Sequence, residues 1–350
     1  YRKIATEEGI LTLDTFHDAP AWSKENLDPG KYGPNPFPNH LKKAGESWVE
    51  IIRHYHDTLK ALEVWNEPDL GFGSYRPAEG VSSFTKAVSF AARQAGLDTR
   101  IIGGVFAYPW PGTAFQDAYI ANGLLDTCDV MSYHSYAGIE AMEPTLAELR
   151  ERELALRHLR AGIPIWITEC GIPWKSSSGE RAVLQEDVIS AAGIVGKALE
   201  LKALGAERYF AFEYKFYPEG AKNFGMMDAN CTPMRSMASY AFAARFFAGT
   251  EYVGDLRGAK TKRARIFRRG DDALIFLWQP DGKFTLPAGV GGDVFAIDGR
   301  PLGRKSGTFK AYGQIAYVKL PMRELQGRIE RDTPAMKYLN LARDFAAHAG

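Results

Sequence analysis

A chain of 350 residues exceeds one average domain, so one large domain with a smaller one is the natural expectation. Hydrophobic residues at 45% and charged ones at 24% supply a core without disulfides or metals, which excludes a disordered or disulfide-stapled chain. A net charge of +1 offers nothing to a polyanion, and no apolar run is long enough to span a bilayer, so neither nucleic acid nor membrane is an expected partner.

Strand-like and helix-like runs alternate from the start to about Gly249. The pattern predicts strands over Ile10–Thr15, Ala61–Trp65, Arg100–Phe106, Asp129–Tyr133, Pro164–Thr168 and Arg208–Tyr214. Each is short and apolar at consecutive positions, as strands buried on both faces should be. Tyr1–Glu8 reads as the end of a helix. Helical spacing of apolar residues predicts further helices over Ser47–Leu62, Ser82–Gln94, Leu146–Arg160, Ala182–Leu204 and Met234–Phe247. Such alternation implies parallel strands joined by right-handed crossovers, either an open doubly wound sheet or a closed barrel.

Past Gly249 the character changes. Short strands are expected at Ala264–Arg268, Ala273–Trp278, Asp293–Ile297 and Ile315–Leu320, with turns at Gly270-Asp271-Asp272, Pro280-Asp281-Gly282 and Asp298-Gly299. This reads as a small antiparallel β domain, followed by one amphipathic helix over Thr333–His348. The expected division is 1–249, 250–322 and a helical tail at 323–350. The basic run Lys260, Lys262, Arg263, Arg265, Arg268 and Arg269 reads as a solvated strand edge that resists aggregation.

Cys128, Cys170 and Cys231 are irregularly spaced and form no CxxC pair, so no metal and no cofactor are expected. The chain starts at Tyr1 rather than Met and shows no signal peptide. Removal of the true N-terminus is therefore the expectation. Localisation and oligomeric state are not legible, with a secreted or periplasmic setting favoured over a cytoplasmic one.

The chemistry concentrates at two strand ends. In Val64-Trp65-Asn66-Glu67-Pro68 an apolar strand delivers a carboxylate, and Pro68 then ends pairing. Ile165-Trp166-Ile167-Thr168-Glu169-Cys170-Gly171 places a second glutamate in the same way. The C-terminal ends of parallel strands are where βα folds build active sites. Two such carboxylates are what cleavage of a glycosidic bond needs, one to protonate the leaving oxygen and one to attack the anomeric carbon. Taken singly, a glutamate at a strand end is often only solvated.

Trp-Asn-Glu-Pro at 65–68 and Thr-Glu-Cys-Gly at 168–171 resemble the catalytic fourth and seventh strands of the 4/7 superfamily of retaining glycoside hydrolases, clan A. Two strand–helix units lie between them, and Tyr133-His134-Ser135-Tyr136 resembles the clan's His-x-Tyr at the end of the sixth strand. The C-terminal β domain is similar to that of relatives of the family 39 β-xylosidases. The resemblance implies an α/β fold, a (β/α)8 TIM barrel with a C-terminal antiparallel β-sandwich, and a carbohydrate substrate. It implies Glu67 as acid/base and Glu169 as nucleophile, with Asn66 on the sugar 2-hydroxyl and His134 and Tyr136 near the carboxylates. His17 and Trp22, after the first strand, fall where the clan's third strand lines the sugar pocket, or else in a structural loop. Trp174 is a stacking platform or a loop anchor. The clan's eighth-strand Trp is missing, and Tyr214 or Phe216 stands in its place.

Only six of eight barrel strands are identified, the first two βα units being absent, so the chain is expected to be a fragment of a longer one or to be closed by another subunit. Two rival readings stand beside hydrolysis. One is a carbohydrate-binding protein on a degenerate barrel; the other is a transglycosylase sharing the covalent intermediate.

Overall fold

A computed structural model describes residues 2–16, 18–23, 36–70, 78–107, 114–155, 163–175 and 180–348. The protein is mixed α/β, with a parallel six-stranded sheet and additional antiparallel sheets. It divides into two compact units, one of residues 1–135, 148–168 and 344–350, the other of 136–147 and 169–343. Among the described residues no helix is long and apolar enough to cross a membrane.

The first unit repeats a helix-then-strand module. Helix α1 (Arg2–Glu7) precedes strand β1 (Thr12–Thr15), and α2 (Leu41–His54) precedes β2 (Leu59–Glu63). Likewise α3 (Ala78–Gln94) leads to β3 (Arg100–Phe106), and α4 (Ala114–Ala121) to β4 (Val130–His134). Neighbouring strands pair in parallel, Thr15 opposite Glu63, Glu63 opposite Ile102 and Ile102 opposite Val130. Strand β5 (Ile165–Cys170) follows β4 in the sheet order and β6 (Arg208–Ala211) follows β5. Strands β3 and β4 are buried along nearly their whole length, which is why they read as unbroken apolar runs.

The boundaries correct several expectations. The run read as a helix over Ser47–Leu62 is in fact α2, ending at His54, and then β2. Leu59 and Leu62 are strand residues, and a turn closed by Thr58 N–H on the Tyr55 carbonyl at 3.1 Å separates the two elements. No glycine or proline marks that junction, so periodicity alone ran through it. Helix α4, only 8 residues long, was not anticipated because so short a run carries little period.

Beneath the strand ends lies a chain of hydrogen-bonded polar groups centred on the buried Glu63 and Ser132. Glu63, 2% exposed, accepts hydrogen bonds from the Thr15 hydroxyl at 2.6 Å and the Ser132 hydroxyl at 3.2 Å. Ser132 in turn shares a hydrogen bond with Thr168. A carboxylate so far from water is held by these two donors.

In the second unit helix α5 (Met142–Ala155) begins, and α6 (Leu184–Ala203), α7 (Arg235–Phe246) and most of α8 (Pro334–His348) belong to it. Helix α6 ends on Gly205, whose φ of +82° lets the Ala206 N–H turn back to the Leu201 carbonyl. Residues after 249 form one antiparallel sheet of seven strands: β7 (Glu251–Leu256), β8 (Arg263–Arg269), β9 (Asp272–Trp278), β10 (Gly291–Ala296), β11 (Pro301–Ser306), β12 (Ile315–Pro321) and β13 (Ile329–Glu330). Their order is β11-β10-β12-β9-β8-β7-β13. Strands β7, β11 and β13 were not foreseen; β11 is mostly polar and exposed and lacks an apolar alternation to read. One face of the sheet packs on Phe284 and Phe309 of a separate two-stranded ribbon. Against the other lie Phe242, Phe246 and Phe247, at the end of α7, which meet Phe267, Phe295 and Tyr317.

The basic run is solvated at Lys260, Lys262, Arg268 and Arg269, as expected, but it does not lie on a sheet edge. Strand β8 is interior to the sheet, and Arg265 is 1% exposed. Its guanidinium grips Glu200 of α6 through Nε to Oε1 at 2.9 Å and Nη2 to Oε2 at 2.7 Å. Glu143 at 3.1 Å and Asp255 at 3.1 Å complete its shell, and Arg263 Nε adds a bond to Glu200 at 3.0 Å. Glu200 is fully buried, and its removal takes the bidentate partner from Arg265 and one of two carboxylate partners from Arg263. We expect Glu200→Ala to destabilise the fold by about 3 kcal/mol, as breaking one side of a buried ion pair does. Urea denaturation followed by tryptophan fluorescence checks this.

Candidate active site

The first candidate half-site stands on β2. Val64 and Trp65 are buried, and the Trp65 ring is pinned edge-on by Phe16 at 5.5 Å and Phe37 at 4.8 Å. The chain then turns at Glu67, whose φ is +41°. A following proline disfavours the right-handed helical region for this residue, and the left-handed conformation it takes instead is strained for a side chain with a Cβ. The turn is tied down on both sides: Glu67 N–H donates to the Val105 carbonyl at 3.0 Å, and Leu70 N–H to the Glu67 carbonyl at 3.0 Å. Asp69 accepts from Ala107 N–H at 3.0 Å. Val105 is itself left-handed, with φ +52°, at the bulge where β3 loses register with β4. Two strained residues joined by one hydrogen bond mark this rim as a place where local comfort is sacrificed.

The Glu67 side chain is 13% exposed, and its Oε1 shares a 2.8 Å hydrogen bond with His134 Nδ1. His134 is 1% exposed. An imidazole so enclosed fixes the carboxyl group in one orientation and can donate to it when it is ionised. Asn66 is half-buried beside it.

The second half-site stands on β5. Glu169 lies within the last two residues of the strand and accepts a hydrogen bond from the Tyr136 hydroxyl. Tyr136 is 38% exposed, and its ring meets Phe224 edge-on at 5.3 Å and Phe212 at 6.1 Å. Phe212 also carries Tyr217 at 5.3 Å. Burial, then the charges of Glu219, Glu213 and Glu169, push the Tyr217 phenol above its ordinary range. Tyr217 was not singled out in the sequence; Tyr214, which was, is 59% exposed. Cys170, next to Glu169, is fully buried, and burial pushes its thiol up. A thiol kept protonated there is not a nucleophile.

The remaining expected residues divide. His17 lies outside the described residues. Trp22 sits in a short 3-10 turn (Ala21–Ser23), half-buried, with the Lys43 ammonium 4.6 Å from its ring centre. Trp174 is 2% exposed, donates from Nε1 to the Gly225 carbonyl at 3.1 Å and packs with Ala182, Met234 and Phe216. Its ring is thus enclosed, as a loop anchor would be, whereas a sugar platform needs an open aromatic face. Phe216 is engaged in the same cluster.

No protein-family model matches the chain, and no curated protein does. Solved structures do. A family 39 glycoside hydrolase from the gut symbiont Bacteroides cellulosilyticus WH2 superposes with a TM-score of 0.67 at 18% identity, covering 91% of this chain and 69% of that one. A GH30 endoxylanase from Clostridium papyrosolvens C71 gives 0.61 at 15% identity over 91% and 82%. A GH39 β-xylosidase from Caulobacter crescentus gives 0.53 at 18% over 81% and 73%. The fold of this chain is thus the one that family 39 and family 30 glycoside hydrolases share.

Proposed function

We propose that this fold carries a retaining glycoside hydrolase that cleaves a β-linked glycoside, with Glu169 as nucleophile and Glu67 as acid/base. The observation that carries the reading is a glutamate in the turn just beyond β2 and another at the end of β5, each with its own hydrogen-bonding partner, His134 for Glu67 and Tyr136 for Glu169. In this reading residues 1–249 supply the catalytic barrel portion, 250–322 an accessory β-sandwich and 323–350 a helical tail.

The Glu169 carboxylate attacks the anomeric carbon while the bond to the leaving oxygen breaks. Glu67 gives its proton to that oxygen, and a glycosyl ester on Glu169 results. Glu67, now ionised, takes a proton from water as the water oxygen attacks the same carbon and expels Glu169. Two inversions give net retention, and the scheme calls for carboxyl groups about 5–5.5 Å apart. Tyr136 donates to the nucleophile and holds its carboxyl group in place. Asn66 is placed to hold the 2-hydroxyl, where contacts tighten in the transition state.

Xylosides are the first substrates to offer, since named neighbours are a β-xylosidase and an endoxylanase. With an activated 2-deoxy-2-fluoro β-xyloside we expect one equivalent of covalent label, and peptide mapping should place it on Glu169. Product NMR on an ordinary aryl glycoside should show the β anomer first. Initial formation of the α anomer would overturn retention. Tight oligosaccharide binding with no release of reducing ends would favour a binding protein instead.

A further inference from the structure

The peptide that follows Glu169 is held by an unusual set of donors. Lys197, on α6, is fully buried, and its Nζ donates to the Gly171 carbonyl at 2.7 Å. The Tyr209 hydroxyl lies 3.3 Å from the Cys170 carbonyl oxygen, which also accepts Phe212 N–H at 3.1 Å. Ser190 Oγ donates to the Ile172 carbonyl at 3.2 Å. The Tyr209 hydroxyl also has the Ile194 carbonyl at 3.1 Å, so the Gly171 and Ile172 carbonyls are the two fixed by α6 side chains, with Tyr209 shared between Cys170 and Ile194. Gly171 leaves no room for movement either, because a Cβ there would collide with the Phe212 carbonyl oxygen and press on Phe224 at 3.1 Å.

A lysine in this position is costly. Burial pulls its ammonium below the ordinary lysine range, and an apolar side chain of equal length would fill the same space without that penalty. An apolar replacement would, however, leave the Gly171 carbonyl without this donor. What the ammonium supplies is a strong, directed donor to the residue two positions after Glu169, at the stage where the strand releases into a loop.

We infer that Lys197 is a positioning residue for the reaction: by clamping the Gly171 carbonyl, with Tyr209 and Ser190 on the flanking carbonyls, it fixes the backbone that aims the Glu169 carboxylate. This rests on the reading of Glu169 as nucleophile. Lys197 does not touch substrate. It acts through the 169–171 backbone, and small displacements of a nucleophile are expensive because the attack needs aligned atoms at near contact.

The test compares wild type and Lys197→Met in the fluoro-xyloside labelling reaction. We expect the rate constant of label formation to fall about 10²-fold, the scale of a misplacement near 1 Å. The apparent dissociation constant for the reagent should stay the same, and the final stoichiometry should remain one label per chain. The melting temperature reports the stability change separately, since relief of lysine burial and loss of the Gly171 donor oppose each other. A merely structural lysine would leave the rate constant of the folded molecules alone, whatever the labelled fraction or the melting temperature; that result overturns the inference. If Lys197→Met does not fold, the Ser190→Ala/Tyr209→Phe double variant, which releases the two flanking carbonyls, decides: slower labelling supports the clamp and an unchanged rate refutes it. Absence of any label on wild-type Glu169 would remove the underlying reading itself, an outcome distinct from equal labelling of wild type and variant.

Discussion

Glu169→Gln should abolish turnover, with kcat on an aryl β-glycoside lowered on the order of 10⁴–10⁶-fold, the range seen when a covalent nucleophile is deleted. Glutamine keeps the size of the side chain and an oxygen able to accept from Tyr136, so the half-site around it stays intact. What it loses is the electron pair of an ionised carboxylate, and no ester can form. The neighbouring thiol does not substitute, because Cys170 is fully buried and held protonated. The expected signature is loss of both turnover and fluoro-sugar labelling, with ligand binding preserved. Turnover within about tenfold of wild type, a barrier change of only about 1.4 kcal/mol, would end the assignment.

Glu67→Gln should show a loss that depends on the leaving group. With a poor leaving group such as an alkyl alcohol the departing oxygen needs a proton, and kcat should fall by up to about 10⁴-fold, the upper range for general acid catalysis. With a dinitrophenolate no proton is needed, so the first step should survive and the glycosyl-enzyme should accumulate, visible as a burst. In Glu67→Ala, azide can enter and attack the intermediate without base help, giving a β-glycosyl azide and restoring rate. An α-azide from Glu67→Ala, or a β-azide from Glu169→Ala, would exchange the two roles. The His134 bond to Glu67 makes a further distinction, since a glutamine amide can still pair with the imidazole and geometry is kept while acidity is lost.

The strand cores were legible because burial on both faces leaves an unbroken apolar signature: Arg100–Phe106 was read with its observed limits. The placement of Glu169 at a strand end was legible for the same reason. Junctions without glycine or proline were not, as at 54–59, where Ile51, Ile52 and Tyr55 lead into Leu59 and Leu62 at helix-compatible spacing. Polar elements also escaped. Strand β11 shows little but exposed residues, and the Arg265–Glu200 grip joins positions 65 residues apart that nothing local connects. At the candidate site, Trp174 illustrates the limit of residue type. A tryptophan after a catalytic strand suits a sugar platform and a loop anchor equally, and only burial separates them. Lys197 was invisible for a similar reason, as one more lysine in an amphipathic helix until its surroundings are known.

Position 67 sets two demands against each other. Its left-handed turn is one that glycine adopts freely, with asparagine the next most tolerant. A library sorted only for folded, protease-resistant molecules should therefore drift away from glutamate there and come out sturdier for it. A library sorted for sugar release should refuse the exchange. The residue that does the proton transfer is, for the architecture around it, a poor tenant.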